Sequence, residues 1–111
     1  MARLSAYREI VRRLLEEYAQ CPPAHGQIEM ETVFDTEHDR YQLVVIGWQG
    51  DRRVHACLIH IDIKGDRVWL QHDSTDAEIA KQLVEMGIPQ EHIVLGFHPE
   101  RWRQYTGFAV K

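Results

Sequence analysis

Two glycine–aspartate pairs, Gly50-Asp51 and Gly65-Asp66, interrupt a stretch from residue 35 to residue 73 that otherwise reads as strand. Each pair suits a two-residue hairpin loop, because glycine supplies the positive φ that such a loop needs. The stretch therefore predicts three consecutive antiparallel strands, and the rest of the chain has to cover them. The loops also set the register. With Gln49 opposite Arg52, Ile46 falls opposite His55, Val44 opposite Cys57 and Tyr41 opposite His60. With Lys64 opposite Arg67, Asp62 falls opposite Trp69, His60 opposite Gln71 and Ile59 opposite His72. Side chains alternate across a strand, so one face is expected to carry Val44, Ile46, Cys57, Ile59, Ile61, Ile63, Val68 and Leu70. That aliphatic face is the expected core. The other face is expected to carry Tyr41, Leu43, Val45, Ala56, Leu58, His60, Asp62, Trp69 and Gln71, apolar at one end and aromatic and polar at the other, where a two-layer fold would be polar throughout.

The flanking segments fit helices and one more strand. Leu4, Tyr7, Ile10, Val11, Leu14, Leu15 and Tyr18 recur at steps of three and four, which predicts an amphipathic helix over residues 2 to 20, stopped by Cys21-Pro22-Pro23 and a turn at Gly26. Ile28, Met30, Thr32 and Phe34 alternate with more polar neighbours as a half-exposed strand, and a charged turn follows through Arg40. Thr75 with Glu78 three residues on reads as a capping box for a second helix, which Gly87 and Pro89 end. Residues 93 to 97 fit a short fifth strand, and Pro99 a last short helix. The fold class is α+β: an antiparallel β-meander of about four strands, with the possible short fifth, and a long N-terminal helix and a second helix packed on the sheet. With 111 residues, one domain is expected.

Composition narrows function. Apolar residues are 44% and charged residues 27%, as in ordinary globular chains. A net charge of −4 supplies no basic field, which makes direct nucleic-acid binding doubtful. The two cysteines lack metal-ligand spacing and read as free thiols. The first 20 residues carry Arg and Glu in place of a signal peptide's apolar core, and no later run is long enough to span a membrane. A cytoplasmic protein with no membrane contact is therefore expected.

No nucleophile-elbow, phosphate-loop, dinucleotide or zinc motif is present, so no catalytic set, metal site or cofactor is assigned. Seven histidines keep acid–base or metal chemistry in view. His60 and Asp62 share a face beside Tyr41, Trp69 and Gln71, and could be two ligands or a base and its orienter; a hydrogen-bond network is the simpler reading, for want of a third ligand. His98, before Pro99, is a loop candidate whose simpler role is a turn. In the charged turn, Asp35, Glu37, His38 and Asp39, with Arg40, loosely resemble a cation loop but lack its glycine and distal glutamate.

Several strings carry a family likeness. They are the run from Phe34 through Asp35, Asp39, Arg40 and Tyr41 to Leu43, then Gly47-Trp48, Arg53-Val54-His55, Leu58-Ile59-His60-Ile61-Asp62-Ile63, Trp69-Leu70-Gln71, Gly87-Ile88-Pro89 and Gly96-Phe97-His98-Pro99. In this order and spacing the chain resembles the XisI family, the fdxN-element excision controlling factors, over essentially its whole length. Ser74 and Glu100 depart from the pattern, at positions where glycine and a second proline are expected. The resemblance implies a cyanobacterial accessory protein in control of programmed DNA excision, beside a recombinase and a nuclease-like companion, XisH. It implies no catalytic residue set.

Three classes of function follow. The first is a non-catalytic regulatory module whose Tyr41, Leu43, Leu58, His60, Asp62, Trp69 and Gln71 contact an XisH-like protein or a second copy, with Asp35, Asp39, Arg40 and His98 as secondary loop candidates. The second is a metal-dependent hydrolase or nuclease component using His60 and Asp62, with His98 as a further candidate. The third is direct DNA binding through Arg3, Arg8, Arg12 and Arg13, or through Arg101 and Arg103.

Overall fold

Tyr7, Val11, Leu14 and Leu15, four members of the first apolar stripe, are all buried along one side of a helix, α1 (Ala2–Ala19). The computed structural model describes residues 2–20 and 27–111. The expected stop at Cys21-Pro22-Pro23 and the turn at Gly26 lie outside the described residues. Four strands follow: β1 (Gln27–Asp35), β2 (Arg40–Gln49), β3 (Arg52–Lys64) and β4 (Arg67–Asp73). Then come α2 (Ile79–Glu85), a single 3₁₀ turn, β5 (Ile93–Leu95) and α3 (Glu100–Arg103). The strands lie side by side in chain order, antiparallel except for β5, which runs parallel to β4. This is the expected α+β arrangement.

Both hairpin loops close where expected, with Gln49 opposite Arg52 and Lys64 opposite Arg67. Further along, two β-bulges change the faces. Val44 pairs with Cys57 but Leu43 pairs with Ile59, so Leu58 is an extra residue, and Tyr41 sits opposite Ile61 instead of His60. Between β3 and β4, Ile61 pairs with Leu70 and His60 with His72, which makes Gln71 extra and replaces the expected His60–Gln71 and Ile59–His72 pairs. An inserted residue reverses the alternation beyond it. The buried face therefore joins Tyr41, Leu43 and Val45 of β2 to Ile59, Ile61 and Ile63 of β3 and to Val68 and Leu70 of β4. Val44, Ile46 and Cys57, expected in this core, are only half-buried and point to the opposite side.

Both longer helices pack on this one face. Val11, Leu14 and Leu15 of α1 and Ile79 and Leu83 of α2 share a buried cluster with Tyr41, Leu43, Ile59 and Leu70. The Tyr7 hydroxyl lies 2.6 Å from His92 Nδ1, which ties α1 to the 3₁₀ turn. The start of α2 is built differently from the expected capping box. Glu78 stands at φ 53° and ψ 60° and makes no capping hydrogen bond. Asp73 organises the entry instead: Oδ1 accepts from Thr75 N (2.9 Å) and Thr75 Oγ1 (2.6 Å), and Oδ2 from Ile79 N (3.4 Å). The end is as expected. Gly87 N donates to Val84 O and Ile88 N to Leu83 O, the paired bonds of a left-handed glycine stop.

The opposite, back face is covered over only half its width. Ala109 bridges to Val94, Ala109 N donates to Ile93 O (2.8 Å), and the Arg103 guanidinium sits 5.1 Å from the Trp69 ring centroid. The C-terminal segment thereby extends the β5 edge and, through Arg103, covers Trp69 of β4; Val94 is fully buried. Among the described residues nothing covers the back of β1, β2 and the first half of β3.

Candidate functional site

His60, Asp62, Trp69 and Gln71, four of the expected contact residues, do come together on the back face, at the edge of its covered half. Asp62 is the one charged residue that is buried among those described, at 5% exposure. His60 Nε2 lies 2.8 Å from Asp62 Oδ1, and Gln71 Nε2 donates to Oδ2 at 3.2 Å. A carboxylate only accepts, so the imidazole nitrogen donates. Gln71 reaches this contact from β4, where the second bulge leaves it without a cross-strand partner. Gly96 leaves room for it: a Cβ there would collide with the Gln71 side chain and stand 3.3 Å from the Trp69 ring. Lys64 and Arg103 approach the Trp69 ring at 5.2 and 5.1 Å. With both oxygens engaged, Asp62 ties β3 to β4. Tyr41 and Leu43, expected beside these residues, are fully buried beneath the helices on the other face, and Leu58 is half-buried against the core. The Leu58 bulge accounts for the two misplaced residues on β2.

Tyr41 belongs to a different network. Asp39, at φ 55°, receives a two-pronged contact from Arg8 (2.7 and 3.0 Å) and the Tyr41 hydroxyl at 3.0 Å. These bonds fasten α1 to the β1–β2 turn. The Arg8 hydrogen bonds hold the Asp39 carboxyl below its ordinary range. Burial, helped by the hydrogen bond to Asp39, pushes the Tyr41 phenol up to about 12.

The remaining loop candidates are dispersed. Asp35 accepts from the amides of Glu37 and His38 (both 3.1 Å), and the His38 ring lies 2.8 Å from its second oxygen, which lowers its pKa. Among the described residues, Asp35, Glu37 and His38 are the one trio whose ligand atoms lie within 4.8 Å of one another, and all three are exposed. His98 is not brought into such a group with His60 and Asp62. Its ring stacks against Phe97 at 4.6 Å and its carbonyl accepts from Arg103 Nε, the role of a turn residue. Arg40 is exposed and pairs across the strands with Asp62.

The arginines weighed for DNA contact are largely engaged with protein. Arg3 lies 4.0 Å from Asp66, Arg8 is on Asp39, and Arg12 is 3.1 Å from Glu9. Arg103 donates to the carbonyls of His98 and Val110.

Sequence reasoning missed two surfaces. Trp102 and Tyr105 are 54% and 77% exposed, with ring centroids 6.5 Å apart, and line a shallow depression of about 540 Å³ with Arg101 and Gln104. The available signal was an aromatic pair three residues apart in a charged segment too short to bury it. The second surface is the bare half of the back face. Glu29 and Glu31 stand along β1, Val44, Ile46 and Trp48 along β2, and Arg53, His55 and Cys57 along β3.

Helices packed on one face of a five-stranded, mostly antiparallel sheet whose back is half covered by the chain's own C-terminal segment place the molecule among α+β proteins with an open sheet. Within that class, residues 1–110 match the family profile described as XisI protein. A crystal structure of a XisI-like protein from Anabaena variabilis superimposes with a TM-score of 0.90 at 42% identity, over 97% of this chain and 99% of that one. The fdxN element excision controlling factor XisI from the same organism superimposes with a TM-score of 0.82 at 28% identity, over 98% and 99% of the two chains. This chain belongs to the XisI family. No functionally curated protein matches it at a significant level.

Proposed function

We propose that this chain is a XisI-type accessory factor that controls programmed DNA excision by contacting an XisH-like protein in the cytoplasm, and that it acts as one folded unit without making or breaking a bond itself. Family membership supports the role, since one structural relative is an fdxN element excision controlling factor. The observation that carries the mode of action is the exposed Trp102–Tyr105 pair beside Arg101. Trp, Tyr and Arg are the residue types that most often dominate binding energy at protein interfaces. Among the described residues no third His, Cys, Asp or Glu joins the His60–Asp62 pair in a metal-ligand group, which favours a structural hydrogen bond there. No described helix is long and apolar enough to cross a membrane.

The test is co-purification with an XisH-like protein. A stable complex is expected, weakened by about tenfold or more on Trp102→Ala with Tyr105→Ala. Two species that migrate independently, or a complex indifferent to both substitutions, would overturn the reading.

A further inference from the structure

We infer that the bare half of the back face is a docking surface for a second copy of this chain, with the two-fold axis running along β2. Three stripes cross this face. β1 presents Glu29 and Glu31, both exposed; β2 presents Val44, Ile46 and Trp48; β3 presents Arg53 and His55, both exposed, and Cys57. The order is acidic, apolar, basic. Val33, half exposed at the end of β1, extends the apolar part. Arg53 is fixed in place by the Trp48 ring, 5.2 Å from its guanidinium, and by the Gly47 carbonyl at 3.5 Å.

A pattern of this kind distinguishes between the two ways a sheet can face its own copy. Rotation about an axis across the strands lays acidic stripe on acidic stripe, and like charges in apposition are repelled. Rotation about an axis along β2 sets Glu29 level with the second copy's His55 and one step along the strand from its Arg53, while Ile46 and Val44 meet their own equivalents. The second arrangement is self-complementary, as an isologous dimer requires, and keeps the two sheets in the aligned packing that twisted sheets favour. Three strands at about 4.8 Å spacing and nine residues at about 3.4 Å give a face of roughly 14 by 30 Å, or about 800 Å² over both partners, the size of a weak and transient interface. Association is therefore expected to depend on concentration.

Sedimentation equilibrium of the purified full chain, without any partner protein, tests this separately from the Trp102–Tyr105 contact. A monomer–dimer equilibrium is expected, with a dissociation constant tighter than about 1 mM. Glu29→Arg with Glu31→Arg should weaken it by more than about tenfold, and so should Arg53→Glu. All three positions are exposed, and circular dichroism will verify that the variants fold. Mixing the two variants one to one should restore the dimer, because each then offers the other an opposite stripe. A wild-type chain that stays monomeric throughout, or a mixture no more associated than its components, would overturn the proposal. So would a monomer whose XisH-like partner is lost on Ile46→Arg, which would give the face to a different chain.

Discussion

Asp39 is the residue on which the helix layer and the sheet meet. Its carboxylate collects the Arg8 guanidinium and the Tyr41 hydroxyl, and its own carbonyl accepts from Ile63 N at 2.9 Å, so one turn residue binds α1, β2 and β3 together. The two titrating groups give opposite pH signatures. Asp39 has a folded pKa below its unfolded value, so its contribution is present above about pH 4 and is lost as pH falls through the depressed folded value. Asp39→Asn should therefore be less stable than wild type at neutral pH, and urea unfolding should show the difference shrinking in acid. Tyr41 has a raised folded pKa, so its contribution is complete below pH 10 and is lost as pH rises toward about 12. Phenolate absorbance of the folded protein should include a step near pH 12 that is absent in Tyr41→Phe. An early titration of all four tyrosines would contradict the burial of Tyr41.

At the scale of elements, the sequence showed where strands and helices lie but not which way two of the strands face. Alternation reports a register slip only where one face is polar. Around the first bulge, Leu43 to Ile46 on β2 and Ala56 to Ile59 on β3 are apolar at every position, so adding Leu58 leaves the pattern unchanged while moving Tyr41 and Leu43 into the core. His60 with Asp62 was legible because the alternation holds between them, and Asp62 still faces Trp69 as the second hairpin loop requires. Gln71 was legible for the same reason, since the hairpin register sets it on this face beside Trp69, and the second bulge changes only which residue stands opposite His60. The α2 entry shows the same limit, since Thr75 and Glu78 have capping-box spacing but Asp73 supplies the oxygens. Asp73→Ala should cost about 1–2 kcal/mol in chemical unfolding. Glu78→Gly, which relieves a left-handed φ at a position without a capping bond, should be neutral or stabilising by up to about 1 kcal/mol. If the capping box were operating, Glu78→Gly would be the more damaging of the two.

At the scale of the whole molecule, the sheet has one face closed by α1 and α2 and another that, among the described residues, is covered at Trp69 and along the β5 edge by the C-terminal segment. That segment carries Trp102 and Tyr105 outward while holding Trp69 beneath Arg103, so the surface proposed for a partner is anchored to the sheet through the same few residues that complete the fold. The bare strands β1 to β3 remain available for self-association without competing for it. The most direct measurement is amide hydrogen exchange of this protein alone and mixed with an XisH-like protein. Slowed exchange centred on residues 97 to 105 is predicted, with the helix-covered strands unchanged. Unaltered exchange across those residues, with protection appearing elsewhere or nowhere, would contradict the account.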